Sequence, residues 1–321
     1  MSRLHTLHIR GFKSIRDQRL ELDSLNVFIG GNGAGKSNLV GVFHLLNRVA
    51  NQQLQIYTGE DRFIFGRETT YFWNKDQYPK PYDDEAWFGH VEAQVAESKK
   101  KIAQYIREHL SSYRIYHFND TSSSARVKQT GDLADNRILR EDAANLAAFL
   151  YRLEQREPDH FQNIVETVRQ VAPFLKRFKL APSALNLDKI RLEWEENGSD
   201  TYFNAAALSD GTLRFVCLAT LLLQPVLPSI ILIDEPELGL HPAAIQVLAG
   251  LMESAATRTQ LIVATQSVTL INQLRPEHVW VADRAEGQSI FRHLKAADMS
   301  SWLEDYGLGE LWEKNILGGR P

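Results

Sequence analysis

The stretch Phe28 to Asn38, F-I-G-G-N-G-A-G-K-S-N, decides how the rest of the chain is read. Gly30 to Ser37 matches G-x-x-x-x-G-K-[ST] in full. Before it, Leu25, Val27, Phe28 and Ile29 form a dense apolar run, and after it Leu39, Val40, Phe43, Leu46 and Val49 recur at helical spacing. A glycine-rich loop between a buried strand and a helix turns its backbone N–H groups inward, where they bind phosphate. Gly30, Gly31, Asn32, Gly33, Ala34, Gly35, Lys36, Ser37 and Asn38 are therefore candidate nucleotide-binding residues. Lys36 is placed to reach β- and γ-phosphate oxygens and the Ser37 hydroxyl to ligate Mg²⁺.

A second constellation, S-I-I-L-I-D-E-P-E-L-G-L-H-P, spans Ser229 to Pro242. An apolar strand delivers Asp234 at its carboxyl end, where α/β sheets place ligands, and Asp234 is a second candidate for Mg²⁺. Glu235, one residue on, is placed to orient or deprotonate an attacking water. The third constellation is A-L-S-D-G-T-L-R-F, Ala207 to Phe215. By itself Ser209 or Asp210 before a helical run is ordinary N-capping.

Between these motifs the early text reads as strands, with Leu7 and Ile9, then Leu20 and Leu22, alternating with polar neighbours. Residues 51–101 are aromatic and irregular and read as loops and short strands. Tyr113 to Phe118 reads as a strand, Asp142 to Arg156 as a helix, and Pro158 to Phe178 as a helix interrupted at Pro173. The remainder alternates: Thr212 to Leu223 helix, Ile230 to Ile233 strand, Ala243 to Ala255 helix, Leu261 to Ala264 strand, Val279 to Ala282 strand. That order predicts an α/β fold with a parallel sheet and covering helices.

Bulk properties narrow the classes. At 321 residues with 44% hydrophobic content the chain can bury a sizeable core, and one cysteine, Cys217, excludes a disulfide framework. The opening M-S-R-L-H-T has no apolar signal core, and the most apolar run, Phe215 to Ile233, is broken by Gln224, Pro225 and Pro228, so a cytosolic, non-membrane protein is expected. Net charge is −4, which gives no global nucleic-acid footprint. Lys99 to Lys101 and the group Arg169, Lys176, Arg177 and Lys179 could meet DNA, although such runs are more often solvated helix faces. Of the histidines, His5 and His8 fall on opposite faces of a strand, and His109 and His117 lie far from any paired acid at metal-ligand spacing.

Taken together the motifs carry a resemblance. Their order, glycine-rich loop, helical insert, L-S-D-G-T, I-I-L-I-D-E-P and A-T-Q-S, resembles the ABC-type ATPase heads of the SMC, RecF, Rad50 and OLD group, and within it a family of stand-alone bacterial predicted ATPases. I-R-G-F-K-S-I (Ile9 to Ile15), Y-H-F-N-D-T-S (Tyr116 to Ser122), D-E-P-E-L-G-L-H-P and the closing L-G-E-L-W-E-K-N-I-L-G-G-R-P are similar to that narrower family.

The resemblance implies a P-loop NTPase with an ABC-ATPase-like two-lobed head: a mixed sheet with covering helices over residues 1–119 and 206–321, and a helical lobe over 120–205. It implies ATP and Mg²⁺ as cofactors and a head-to-head homodimer in which Ser209 and Gly211 of one copy close on the γ-phosphate held by the other. Glu237, Leu238 and Gly239 then contact the partner, and residues near Lys13 and Ser14 approach the nucleotide. Gln266 stands at the switch position, where a His is common in the wider group; Gln hydrogen-bonds a phosphate or water but does not protonate at neutral pH. His117, Asn119 and Asp120 fall where this superfamily carries its Q-loop, with a surface turn as the plainer reading.

No long heptad arms occur, and the stretch beyond Ser267 is short for an appended nuclease domain, so neither an SMC-like tether nor intrinsic DNA cleavage is expected. The expected role is ATP-driven closure in DNA maintenance or anti-phage defence with a separately encoded effector. The competing readings are an ATP-dependent switch with negligible turnover and a transporter's nucleotide-binding subunit.

Overall fold

Five consecutive buried residues, Leu25–Ile29, form a strand that is covered on both faces, which places it inside a sheet rather than at its edge. The computed structural model describes residues 3–51, 68–72, 82–86 and 101–320. Along the chain the strands are β1 (Thr6–Phe12), β2 (Ile15–Glu21), β3 (Leu25–Ile29), β4 (Glu68–Phe72), β5 (Tyr82–Ala86), β6 (Arg114–Tyr116), β7 (Gly131–Asp132), β8 (Leu175–Lys179), β9 (Lys189–Ile190), β10 (Glu193–Glu196), β11 (Tyr202–Asn204), β12 (Ile230–Asp234), β13 (Gln260–Thr265), β14 (Val279–Ala285) and β15 (Gln288–His293). The helices are α1 (Lys36–Ala50), α2 (Lys101–Ser111), α3 (Leu146–Arg156), α4 (Pro158–Val171), α5 (Asp210–Leu223), α6 (Pro242–Ala256), α7 (Val268–Ile271), α8 (Ala296–Leu303) and α9 (Leu308–Glu313).

The main sheet has the order β15-β14-β3-β13-β12-β6. Strands β14, β3, β13, β12 and β6 run parallel, with β6 at one edge, and β15 closes the other edge antiparallel to β14. Asp234 lies beside Ala264 and Ala264 beside Phe28, so the carboxyl ends of β12, β13 and β3 come level. One face packs Leu25, Val27 and Ile29 against α3 to α6, and the other packs Phe28 against α1 and the β1–β2 hairpin. Alternate residues of a single strand thus serve two cores, which is why the run shows no polar face.

The insert between β6 and α5 differs from the sequence expectation. Helix α4 ends at Val171, and the chain re-enters as β8 in a second, antiparallel sheet of order β11-β10-β8. Pro173 disfavours helix at the residue before it and removes a backbone donor. Beyond it the buried positions are Leu175 and Phe178, three apart, a helical rather than an alternating spacing. The strand forms nonetheless, with Phe178 paired to Trp194 and a register shift between Glu195 and Glu196 that returns Leu175 to the same face as Phe178. Similarly, α3 begins only at Leu146, after a turn in which Asp142 Oδ1 accepts the Ala144 N–H. Most of the aromatic stretch between Tyr71 and Phe88, with Lys99 and Lys100 of the basic run, lies outside the described residues. Among the described residues no helix is long and apolar enough to cross a membrane.

Candidate active site

The loop after β3 wraps the first turn of α1. Gly35 has φ +113, and a Cβ there would stand 2.0 Å from Ser289 Oγ, so only glycine lets β15 approach the loop this closely. Lys36 is buried and donates to the Gly30 carbonyl at 2.5 Å and the Gly31 carbonyl at 3.2 Å. Burial lowers its pKa, opposed by the charges of Glu235, Asp234 and Glu237. Lys36 therefore lies within the field of all three acids of the β12 end. Asn32, Gly33 and Ser37 are exposed, and Ala34 is buried beneath the loop.

The Lys13–Ser14 turn of the β1–β2 hairpin supports this loop. Ser14 Oγ accepts from Asn38 Nδ2 at 2.6 Å and shares a 2.7 Å hydrogen bond with Ser289 Oγ, while its carbonyl accepts the Ser289 N–H. Ser14 is thus tied to the helix start. Lys13, at φ +50, lays its ammonium across the Phe12 ring and toward Gly41 of α1.

At the end of β12, Asp234 is half-buried, and Glu235 follows at φ +48 with its N–H bonded to the Ala264 carbonyl at 2.8 Å. A left-handed Glu is costly, of the order of 1–2 kcal/mol, and persists only where the surrounding structure dictates the backbone direction. Gln266, just past β13, donates through Nε2 to Glu235 Oε1 and to Asn32 Oδ1, each at 3.0 Å. One amide thereby joins the loop after β3 to the acid after β12, across the intervening strand.

The L-S-D-G-T segment opens α5. Ser209 is its exposed N-cap, accepting from the Thr212 N–H at 3.2 Å. A Cβ on Gly211 would meet the Gly239 carbonyl at 2.3 Å, so the Ser209–Gly211 and Glu237–Gly239 segments pack backbone against backbone. Leu238 and Gly239 are exposed, but Glu237, expected at a partner surface, is 8% exposed and turns inward. Its Oε1 accepts from Thr265 Oγ1 at 2.5 Å and the Gln266 N–H at 3.4 Å, whereas Oε2 has no partner among the described residues. Burial, partly offset by the Thr265 bond and reinforced by the Glu235 charge, pushes its carboxyl up to about 7.

Comparison with known proteins shows the family and the fold. Residues 83–272 match the family AAA_21, described as "AAA domain, putative AbiEii toxin, Type IV TA system". The chain belongs to this family. Among solved structures it is similar to an SMC head bound to the C-terminal winged-helix domain of ScpA, at 16% identity and TM-score 0.59, covering 92% of this chain and 98% of that one. It is likewise similar to an SMC head domain with an extended coiled coil bound to the C-terminal domain of ScpA, derived from Pyrococcus furiosus, at 15% identity and TM-score 0.54, covering 94% and 98%. No curated protein sequence matches the chain. This AAA_21 chain therefore has the fold of a P-loop ATPase head of SMC type.

The residues present fit Mg²⁺ and a triphosphate. Burial, then the Glu235 charge, raises the Asp234 carboxyl, with His117 and Lys36 opposing; a nearby cation would relieve that cost. One hydroxyl, Ser37, and one carboxylate, Asp234, suit Mg²⁺, which takes few protein ligands and completes its shell with water and phosphate oxygens. Among the described residues no three His, Cys, Asp or Glu side chains form a metal site of their own.

Three contributors escaped the sequence reading. Arg214, in the quoted A-L-S-D-G-T-L-R-F, is buried and donates Nε to the Phe118 carbonyl at 2.8 Å and Nη2 to the Asn119 carbonyl at 3.1 Å. It fastens the chain beyond β6 to α5. Lys128 adds to that link through Asp210 Oδ1 at 3.2 Å and the Thr121 carbonyl. His44 of α1 meets His117 with Nε2 atoms 3.3 Å apart, ring planes 6° apart and centroids at 5.6 Å, an end-to-end N–H···N contact. Burial, followed by the His117 charge, lowers His44 to about 4. Asp120 forms the surface turn, accepting from Ser122 N and Oγ.

Proposed function

We propose that this chain is a Mg²⁺-dependent ATPase whose two copies close head to head around two ATP molecules and reopen after hydrolysis. The observation that carries the reading is the Gln266 amide, held between Asn32 of the phosphate loop and Glu235. In this reading Lys36 exchanges the Gly30 and Gly31 carbonyls for β- and γ-phosphate oxygens, while the amides from Gly33 to Asn38 hold the phosphate chain. Ser37 and Asp234 would hold Mg²⁺, which supplies charge neutralisation at the phosphates when bound. Glu235 takes the proton of the attacking water, and Gln266 keeps its carboxylate aimed at the loop. Exposed Ser209, with Gly211 at the N-terminus of α5, serves the nucleotide of the other copy, and Leu238 and Gly239 meet that copy's surface.

The fold and the family support ATP as the ligand. The two SMC heads, each bound to a domain of ScpA, support a head that works with a separate protein. The family description supports a role in defence, with DNA maintenance as the neighbouring function. A cytosolic location and contact with DNA accompany this reading.

Phosphate release by the wild type, Glu235→Gln and Lys36→Ala, with Mg²⁺ or with chelator, tests it. Turnover abolished in both variants and by chelation supports the ATPase, and a rise in mass by light scattering for Glu235→Gln with ATP supports the closed dimer. Release by wild type no faster than by Glu235→Gln would instead favour an ATP-dependent switch, a reading that the non-titrating Gln266 supports. Stimulation by DNA would separate either from a transporter subunit.

A further inference from the structure

The segment Asn315–Arg320 turns back from α9 onto the phosphate loop. Asn315, Gly318 and Gly319 have φ +59, +74 and +66, a reversal that brings the Gly319 carbonyl to the Gly31 N–H at 2.7 Å. Two side chains of the β14–β15 hairpin hold it: Arg292 Nη2 donates to the Leu317 carbonyl at 2.5 Å, and Asp283 Oδ2 accepts the Gly319 N–H at 3.3 Å. Leu317 is buried in the larger core. A Cβ on Gly319 would stand 2.7 Å from both the Ala282 carbonyl oxygen and Val281 Cγ1, and one on Gly30 would stand 2.4 Å from that same carbonyl oxygen. Three backbones therefore converge on one point beside the loop.

The peptide unit between Gly30 and Gly31 is bonded at both ends. Its oxygen accepts the Lys36 ammonium at 2.5 Å, and its N–H donates to Gly319. A carbonyl on one side and a cation on the other polarise the peptide in the same sense and hold its plane. The orientation of this peptide sets where Lys36 rests and where the loop amides that follow it point.

We infer that the Asn315–Arg320 segment is a clamp of the nucleoside-triphosphate site, with Gly319 a positioning residue that acts through the Gly30–Gly31 peptide. The inference rests on the reading of the loop as an ATP site. Gly319→Ala forces a left-handed alanine with a crowded Cβ and displaces the clamp without touching a phosphate-facing residue. Arg292→Gln weakens the hold on Leu317 at a greater distance.

Isothermal titration of ATP into the full chain, with amide hydrogen exchange read at Gly31, tests the clamp. The expected result for Gly319→Ala is at least tenfold weaker ATP binding together with loss of Gly31 protection while the core amides of β3 and β13 keep theirs, a site-specific signature that general destabilisation does not produce. For Arg292→Gln a threefold or greater weakening is expected, and this variant decides by the same criterion if Gly319→Ala fails to fold. Wild type that binds ATP, with a variant that loses Gly31 protection yet matches its affinity within twofold, overturns the clamp alone. Wild type that binds no ATP overturns the reading of the site and the clamp with it.

Discussion

Gln266 Nε2 stands 3.0 Å from Glu235 Oε1, and the same nitrogen stands 3.0 Å from Asn32 Oδ1. A neutral side chain thus occupies the point between the phosphate loop and the acid assigned to water. It has two N–H donors to give and no proton to lose at neutral pH, so in the proposed mechanism its contribution is to aim Glu235 rather than to share in proton transfer.

Gln266→Ala removes that aim while leaving the loop amides and Lys36 in place. Phosphate release is expected to fall by about tenfold to a hundredfold, at or below the lower end of the range attributed to acid–base groups themselves because Gln266 only positions one, with ATP affinity changed less than threefold. Gln266→Glu sets a carboxylate against Glu235 and should lose more at pH 8 than at pH 6. Equal turnover by Gln266→Ala and wild type would remove Gln266 from the mechanism.

Glu237 makes the apo protein's stability depend on pH. Its folded-state pKa, about 7, lies above the ordinary 4.5. Between those values the folded chain binds more protons than the unfolded one, so stability falls as pH rises through the window and the cost is complete above it. Glu237→Gln removes the ionisation. Relative to wild type it should gain urea resistance on going from pH 5 to pH 8, measured with chelator and without nucleotide. A difference that stays flat across that range would show that Glu237 ionises freely in the fold.

Arg214 bonds two consecutive carbonyls, Phe118 and Asn119, from inside α5. Arg214→Lys keeps the charge but cannot span both acceptors with a planar fork. It is expected to destabilise the chain by about 1–3 kcal/mol, the usual cost of a lost charged hydrogen bond that strands a buried acceptor. The shift of the denaturant midpoint at constant slope measures it, and an unchanged midpoint would mean that water replaces the guanidinium at no cost.

The sequence by itself determined the parts whose chemistry is local. Phosphate binding needs glycine, lysine and serine at fixed spacing in one turn, and a strand-end Asp-Glu pair needs only an apolar run before it, so Gly30 to Ser37, Asp234 and Glu235 were legible as text. The strand and helix alternation after Thr212 was legible for the same reason: periods of 2 and 3.6 are properties of neighbouring residues. The tertiary structure alone decided what depends on partners distant in sequence. Leu175 to Lys179 became a strand because Trp194 lay opposite Phe178 and a register shift accommodated the odd spacing of Leu175 and Phe178, against the helical period of the segment itself. Gln266 meets Asn32 across 234 positions, Glu237 turns inward because Thr265 waits beneath it, and Gly319 reaches Gly31 from the far end of the described chain. Such contacts carry no local signature, because each residue alone is compatible with solvent. Packing supplies the partner, and with it the direction of the carboxylate, the burial of the acid and the hold on the loop.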